Sequence, residues 1–110
     1  MATLSTHVLD LDNGAPAIDL MVELHTLSPN GEAGSLLASG KTDSDGRVTQ
    51  WPALPNGHYA LTFATGSWFA GRGVQSFYPR IRIEFIVDEE RHYHVPLLLN
   101  RFGFSSYRGS

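Results

Sequence analysis

Two histidines one residue apart, His92 and His94, stand near the end of this chain, and a third, His7, stands near its beginning. In an extended strand alternate side chains share a face, so His92-Tyr93-His94 presents both imidazoles on one side and the tyrosine on the other. A neutral imidazole is a competent general base near pH 7. Arg47 follows the turn sequence Asp43-Ser44-Asp45-Gly46. Its planar, permanently charged fork suits the oxygen and nitrogen edge of a flat anion; a surface pair with its acidic neighbours is the plainer reading of the same pattern. The chain closes on Tyr107-Arg108-Gly109-Ser110, which brings a hydroxyl, a guanidinium and a carboxylate together.

Other chemistries are less well served. A His-x-His pair with a third histidine is how some zinc hydrolases hold their ion. No fourth ligand or supporting carboxylate is evident in the pattern, so neither a metal nor a cofactor is expected. With no cysteine in 110 residues, thiolate nucleophiles, disulfides and Cys-ligated zinc are excluded. His25 and His58 read as ordinary strand or turn residues, and Trp51, Trp68 and Phe69 as packing.

The elements that must position these groups are strands. Residues 4–11 alternate, with Leu4, Thr6 and Val8 on one face and Ser5, His7, Leu9 and Leu11 on the other. Residues 17–27 read as the cleanest strand, with Ile18, Leu20, Val22 and Leu24 aligned. Ser28-Pro29-Asn30-Gly31 closes a hairpin onto a shorter strand over 35–41. Arg47 opens a strand expected to run to Trp51. Strands follow over 58–65 and 80–87, and Ser67 is placed to cap one short helix between them. The last two runs, 92–99 and 102–107, meet at a turn on Asn100-Arg101. Tyr93, Val95, Leu97 and Leu99 form its core face; His92, His94, Pro96 and Leu98 form the other. A tail carrying Phe102, Phe104 and Tyr107 is expected to be packed rather than frayed. The spacing predicts an antiparallel β-sandwich of seven to eight strands with one short helix.

Composition sets the outer limits. The chain is expected to be one domain, residues 1–110, with 42% hydrophobic and 17% charged residues. A net charge of −3 leaves no basic face for nucleic acid, and no polybasic or amphipathic segment suits a membrane. Met1-Ala2-Thr3 leads straight into strand pattern without a secretory signal, so a cytoplasmic protein is expected. Consecutive Leu97, Leu98 and Leu99 make both faces of one strand apolar, which calls either for an oligomer or for one exposed leucine.

Four motifs in order carry a resemblance that covers essentially the whole chain. They are Leu4-Ser5-Thr6-His7-Val8-Leu9-Asp10, Thr42-Asp43-Ser44-Asp45-Gly46-Arg47, His92-Tyr93-His94-Val95-Pro96-Leu97-Leu98-Leu99 and the closing Tyr107-Arg108-Gly109-Ser110. Together they resemble the transthyretin-related 5-hydroxyisourate hydrolases of urate degradation, whose ending separates them from transthyretin. Asn100-Arg101-Phe102-Gly103-Phe104 departs from the Ser-Pro-Tyr-Gly-Tyr usual there. The resemblance implies a transthyretin-like (prealbumin-like) sandwich and a homotetramer with sites at the dimer–dimer interface. It also implies hydrolysis of a purine-derived small molecule without cofactor or metal. It makes His7, Arg47, His94 and Ser110 catalytic, with His7, Arg47 and Tyr107 binding substrate. A carrier of an aromatic anion that turns nothing over is the alternative on the same fold.

Overall fold

A computed structural model describes residues 1–109. Nine strands and one helix follow in chain order: β1 (Thr3–Asp10), β2 (Ala15–Pro16), β3 (Met21–Leu27), β4 (Ala33–Lys41), β5 (Arg47–Val48), β6 (Gly57–Phe63), α1 (Thr65–Ala70), β7 (Ile81–Val87), β8 (His92–Asn100) and β9 (Gly103–Ser106). One sheet runs β2-β1-β8-β9, with β5 also pairing with β1; the other runs β4-β3-β6-β7. Their inner faces enclose the core. Leu4, Thr6 and Val8 of β1 and Tyr93, Val95, Leu97 and Leu99 of β8 are buried on one side. Val22 and Leu24 of β3 and Tyr59, Leu61 and Phe63 of β6 meet them from the other. Burying such side chains stabilises the fold by roughly 1.5–3 kcal/mol each. Trp68 and Phe69 of α1, in edge contact at 5.1 Å between centroids, join the same core.

The expected alternation holds on β1, β6, β7 and β8, and the two-sheet sandwich stands, with its strands differing in detail. Two of the nine are only two residues long. The strand expected from residue 17 starts at Met21 because Asp19 takes a positive φ of 63°, which breaks the period and leaves Ile18 39% exposed. Thr42 repairs this entry: its hydroxyl accepts from Leu20 N–H (2.9 Å) and donates to the Ala17 carbonyl (2.7 Å). β4 begins at Ala33, earlier than 35, and β5 stops at Val48 rather than reaching Trp51. Trp51 instead turns its indole N–H onto the Val48 carbonyl, 3.0 Å away. Ser67 does not cap α1: it lies inside the helix, where its hydroxyl donates to the Ala64 carbonyl at 3.2 Å.

One pairing departs from the antiparallel rule. β1 and β8 run parallel, with Thr3 opposite His92, Ser5 opposite His94 and His7 opposite Pro96. The chain crosses between them through the whole of the second sheet, so no hairpin dictates this register. On the other flank β9 pairs antiparallel with β8 from Asn100 back to Leu97, and Gly109 rejoins the same register opposite His94. Between them Pro96 has no N–H to give to the ladder, and Ser106 takes its carbonyl through the side chain, Oγ donating at 2.8 Å. Tyr107 and Arg108, opposite that gap, carry no strand pairing. The tail is therefore held by its backbone more than by its aromatic rings. Phe102, Phe104 and Tyr107 are 64%, 43% and 60% exposed, against the packed tail expected. Among the described residues no helix is long and apolar enough to cross a membrane.

Candidate active site

The outer face of the first sheet collects the chemistry. In a parallel pair, as in an antiparallel one, residues in register share a face. The register thus sets Thr3, Ser5 and His7 of β1 beside His92, His94 and Pro96 of β8. β5 adds Arg47 directly opposite His7. The rings of His7 and His94 lie 6.5 Å apart between centroids, tilted by 40°. A concavity of about 250 Å³ opens between Ser5, Thr6, Arg47, Thr49, His92 and His94.

Arg47 owes its place to the turn before it. Asp43 Oδ1 accepts the backbone N–H groups of Asp45 (2.9 Å) and Arg47 (3.0 Å), and these hydrogen bonds hold the Asp43 carboxyl below its ordinary pKa. Gly46 closes the turn at φ 76°, and a Cβ there would strike the Val8 carbonyl, so only glycine fits. Its own carbonyl accepts from Val8 N–H at 2.7 Å, fastening the turn to β1. The acidic side chain thus serves the backbone. Among the described residues no carboxylate forms an ion pair with the Arg47 guanidinium, which stays exposed beside the two imidazoles.

His94 is half-buried and held chiefly neutral. Burial lowers its pKa below the ordinary 6.5, and the positive charges of His7, Arg47 and His92 push the same way. Its Nδ1 lies 2.8 Å from Ser5 Oγ, and the same oxygen lies 2.8 Å from His92 Nε2. Thr3 Oγ1 takes the remaining nitrogen of His92, Nδ1, at 2.7 Å. Both ring nitrogens of His92 and one of His94 are therefore engaged by hydroxyls. Among the described residues no three His, Cys, Asp or Glu side chains converge as metal ligands would. This arrangement leaves Nε2 of His94 as the nitrogen open to a substrate.

Of the residues expected from sequence, His7, Arg47 and His94 come together on this face. Tyr107 lies to the other side of His94. It lines a cleft of about 460 Å³ on the far edge of β8, with His94, Ser106 and Arg108 on one wall and Ile83–Ile86 of β7 on the other. Ser110 lies outside the described residues. Its neighbour Gly109 donates its N–H to the His94 carbonyl at 2.8 Å, so the tail does return to the strand that carries the base. Thr3, Ser5 and His92 had no part in the expected site. Alternation placed Ser5 and His92 on the right face, but only the parallel register brings them into contact with each other and with Thr3.

Comparison with known proteins follows the geometry. Residues 4–109 match the family model described as the HIUase/Transthyretin family. The chain is 42% identical over 111 residues to the protein named 5-hydroxyisourate hydrolase from Salmonella dublin, covering 97% of this chain and 80% of that one. The solved structure of Klebsiella pneumoniae 5-hydroxyisourate hydrolase aligns with a TM-score of 0.90 at 41% identity, covering 100% of both chains. Transthyretin from Sparus aurata shares the fold, with a TM-score of 0.88 at 23% identity over 97% of this chain and 96% of that one. A family match across nearly the whole sequence, a close relative and a superposable sandwich agree: this chain belongs to the HIUase/Transthyretin family.

Proposed function

We propose that this chain hydrolyses 5-hydroxyisourate to 2-oxo-4-hydroxy-4-carboxy-5-ureidoimidazoline, a step of urate degradation, as a single domain over residues 1–110. The observation that carries the reading is the convergence of one imidazole held neutral, a second imidazole 6.5 Å from it and an exposed guanidinium on one sheet face. The likeness to proteins named as 5-hydroxyisourate hydrolases supports the substrate. A carrier would use the same fold but has no use for paired bases.

His94 Nε2, assisted by His7, takes a proton from water as the water oxygen attacks the ring carbonyl. Arg47 stabilises the oxyanion that develops and the negative charge of the substrate. The carbon–nitrogen bond then breaks, the imidazolium returns its proton to the departing ring nitrogen, and the ring opens to a carboxyl and a ureido group. The ring amide is activated enough to need neither a covalent nucleophile nor a metal. Tyr107 and Ser110 position substrate or water from the tail. The working assembly is a homotetramer in the cytoplasm, with sites where dimers meet. Supporting association through this face, Leu9 and Leu98 point outward as a half-buried pair beside Leu11, which is 52% exposed.

The test is the ultraviolet decay of 5-hydroxyisourate generated in situ from urate and urate oxidase. Fast decay that survives exhaustive chelation and disappears in His94→Ala is expected. Decay no faster than the spontaneous reaction, from an assembled protein, overturns the reading.

A further inference from the structure

The hydroxyl of Ser5 stands between two imidazoles with only one proton to give. We propose that Ser5 and His92 form a tautomer gate on His94, favouring a free His94 Nε2 while His92 is neutral and a protonated one when His92 is charged. The gate deepens the hydrolytic reading and rests on it, since it acts through the proposed base. Ser5 and His92 are positioning residues here; neither need touch the substrate.

The argument is a count of protons along Thr3–His92–Ser5–His94, whose three contacts are 2.7, 2.8 and 2.8 Å. Each neutral imidazole has one N–H donor and one acceptor nitrogen, and each hydroxyl donates once. Two arrangements pass protons in one direction along the whole chain; in a third, Ser5 Oγ accepts from both rings and gives its own proton to solvent. In the first, His94 Nδ1–H donates to Ser5 Oγ, Ser5 donates to His92 Nε2, and His92 Nδ1–H donates to Thr3 Oγ1. His94 Nε2 then carries a free lone pair. In the second every donor is reversed: Thr3 donates to His92 Nδ1, His92 Nε2–H to Ser5, and Ser5 to His94 Nδ1. His94 then bears its proton on Nε2 and cannot accept one from water there.

A second proton on His92 tips the choice. Both its nitrogens become donors, so Nε2–H points at Ser5, and the hydroxyl polarised by that cationic donor is a better donor than acceptor and turns to His94 Nδ1. The base is disarmed although His94 itself stays neutral. His92 is exposed and can exchange protons with solvent, whereas His94 is half-buried. The charged and titratable groups around the pair are few. Facing His94 are His7 from β1, Arg47 from β5 and His92 from its own strand. Glu84, Asp88, Tyr93, Tyr107 and Arg108 line the cleft on the far edge of β8. Around His92 stand Arg47 in the shared concavity, Arg91 next in the chain, and the Met1 amino group paired with Glu90 at 3.0 Å near the strand entrance.

The gate and simple charge repulsion predict opposite signs. If His92 acted on His94 only as a nearby positive charge, replacing it would raise the pKa of His94 and move the acid limb of kcat/KM to higher pH. If His92 gates the tautomer, His92→Gln frees the base from that titration and the acid limb moves to lower pH. Below the wild-type limb, the variant then retains more of its plateau rate than wild type does. An unchanged limb or an upward shift overturns the proposal.

A second readout needs no substrate and therefore survives failure of the hydrolytic reading. Long-range proton–nitrogen NMR on the full chain, labelled with 15N-histidine, follows both rings through a pH titration. His94 is expected to pass from the Nδ1–H to the Nε2–H form as His92 takes its second proton. That coupled switch should be lost in Ser5→Ala and restored in Ser5→Thr, which keeps the hydroxyl. A His94 tautomer that stays fixed across the His92 titration overturns the gate.

Discussion

Replacing Gly109 by alanine adds one methyl group where the backbone accepts any residue but the space does not. Gly109 is not among the residues with positive φ, so the substitution carries no backbone strain. The new Cβ would lie 2.6 Å from His94 Cδ2 and 3.1 Å from its Cβ and Cγ, where carbon atoms rest at about 3.5–4.0 Å. Relief needs a displacement of roughly 1 Å. The candidates to move are the imidazole, anchored at Nδ1 by Ser5, and the tail, anchored by Gly109 N–H on the His94 carbonyl. Either movement disturbs the proposed base. A misplacement of about 1 Å costs on the order of 100-fold in rate, or about 2.7 kcal/mol on the barrier. Overpacking costs about 1–3 kcal/mol of stability, with the lower end expected at the sheet's surface. In the 5-hydroxyisourate decay assay kcat/KM should fall about 100-fold, while thermal unfolding drops by only about 4–8 °C per kcal/mol. Gly103→Ala is the control. It opens β9 in the same tail, and its nearest neighbour, Asn100 Oδ1, would be at an ordinary 3.6 Å, so turnover should be close to wild type. Wild-type turnover from folded Gly109→Ala would refute the claim that the tail's return sets the position of His94.

Arg47→Gln should lower kcat/KM by about 10²–10³-fold through loss of oxyanion stabilisation. Its unfolding temperature should stay near wild type, because the turn holds Arg47 by its backbone N–H on Asp43. A large drop in stability without loss of rate contradicts this. His7→Asn removes one of the positive charges that depress His94, so NMR titration should find the His94 pKa raised towards 6.5; no change, or a fall, contradicts the assignment. The depressed pKa also fixes a sign for stability. The unfolded chain takes the proton first, so stability is full above the unfolded value of 6.5 and declines as pH falls from there to the folded value. Denaturant midpoints of His94→Gln should show a shallower decline across that window. Thr42→Val deletes a buried hydroxyl serving Leu20 N–H and the Ala17 carbonyl. It should cost about 1–3 kcal/mol by leaving them unpaired, read as a lower urea midpoint at unchanged slope.

What could be read along the chain was the side of each strand. Alternation placed His7 with Ser5, and His92 with His94, away from the cores that Leu4, Val8, Tyr93 and Val95 build, because one face buried in a sandwich imposes a period of two. What failed were places where a single residue breaks that period. Asp19 takes a conformation that leaves no mark on hydropathy, and β5 ends after Val48 because Trp51 spends its indole N–H on that strand's last carbonyl. The aromatic tail misled for a related reason. Phe102 and Phe104 suggested burial, yet β9 is held by ladder hydrogen bonds that any side chain would allow. Phe104 meets the rest of the molecule through the edge of Tyr78 at 5.4 Å.

The site itself was half legible for a deeper reason. Which residues face outward is a local property, but which of them touch depends on how β1 lies against β8, and those strands are some ninety residues apart in the chain. A hairpin would have fixed an antiparallel register by its turn; here the packing of both inner faces fixes a parallel one. A shift by two residues would preserve every buried side chain's orientation while moving His94 from Ser5 to His7 or Thr3. The hydroxyl chain Thr3–His92–Ser5–His94 exists only in the register observed. Those same bonds in turn favour that register over its neighbours, so the groups that tune the base also help to align the two strands that carry it.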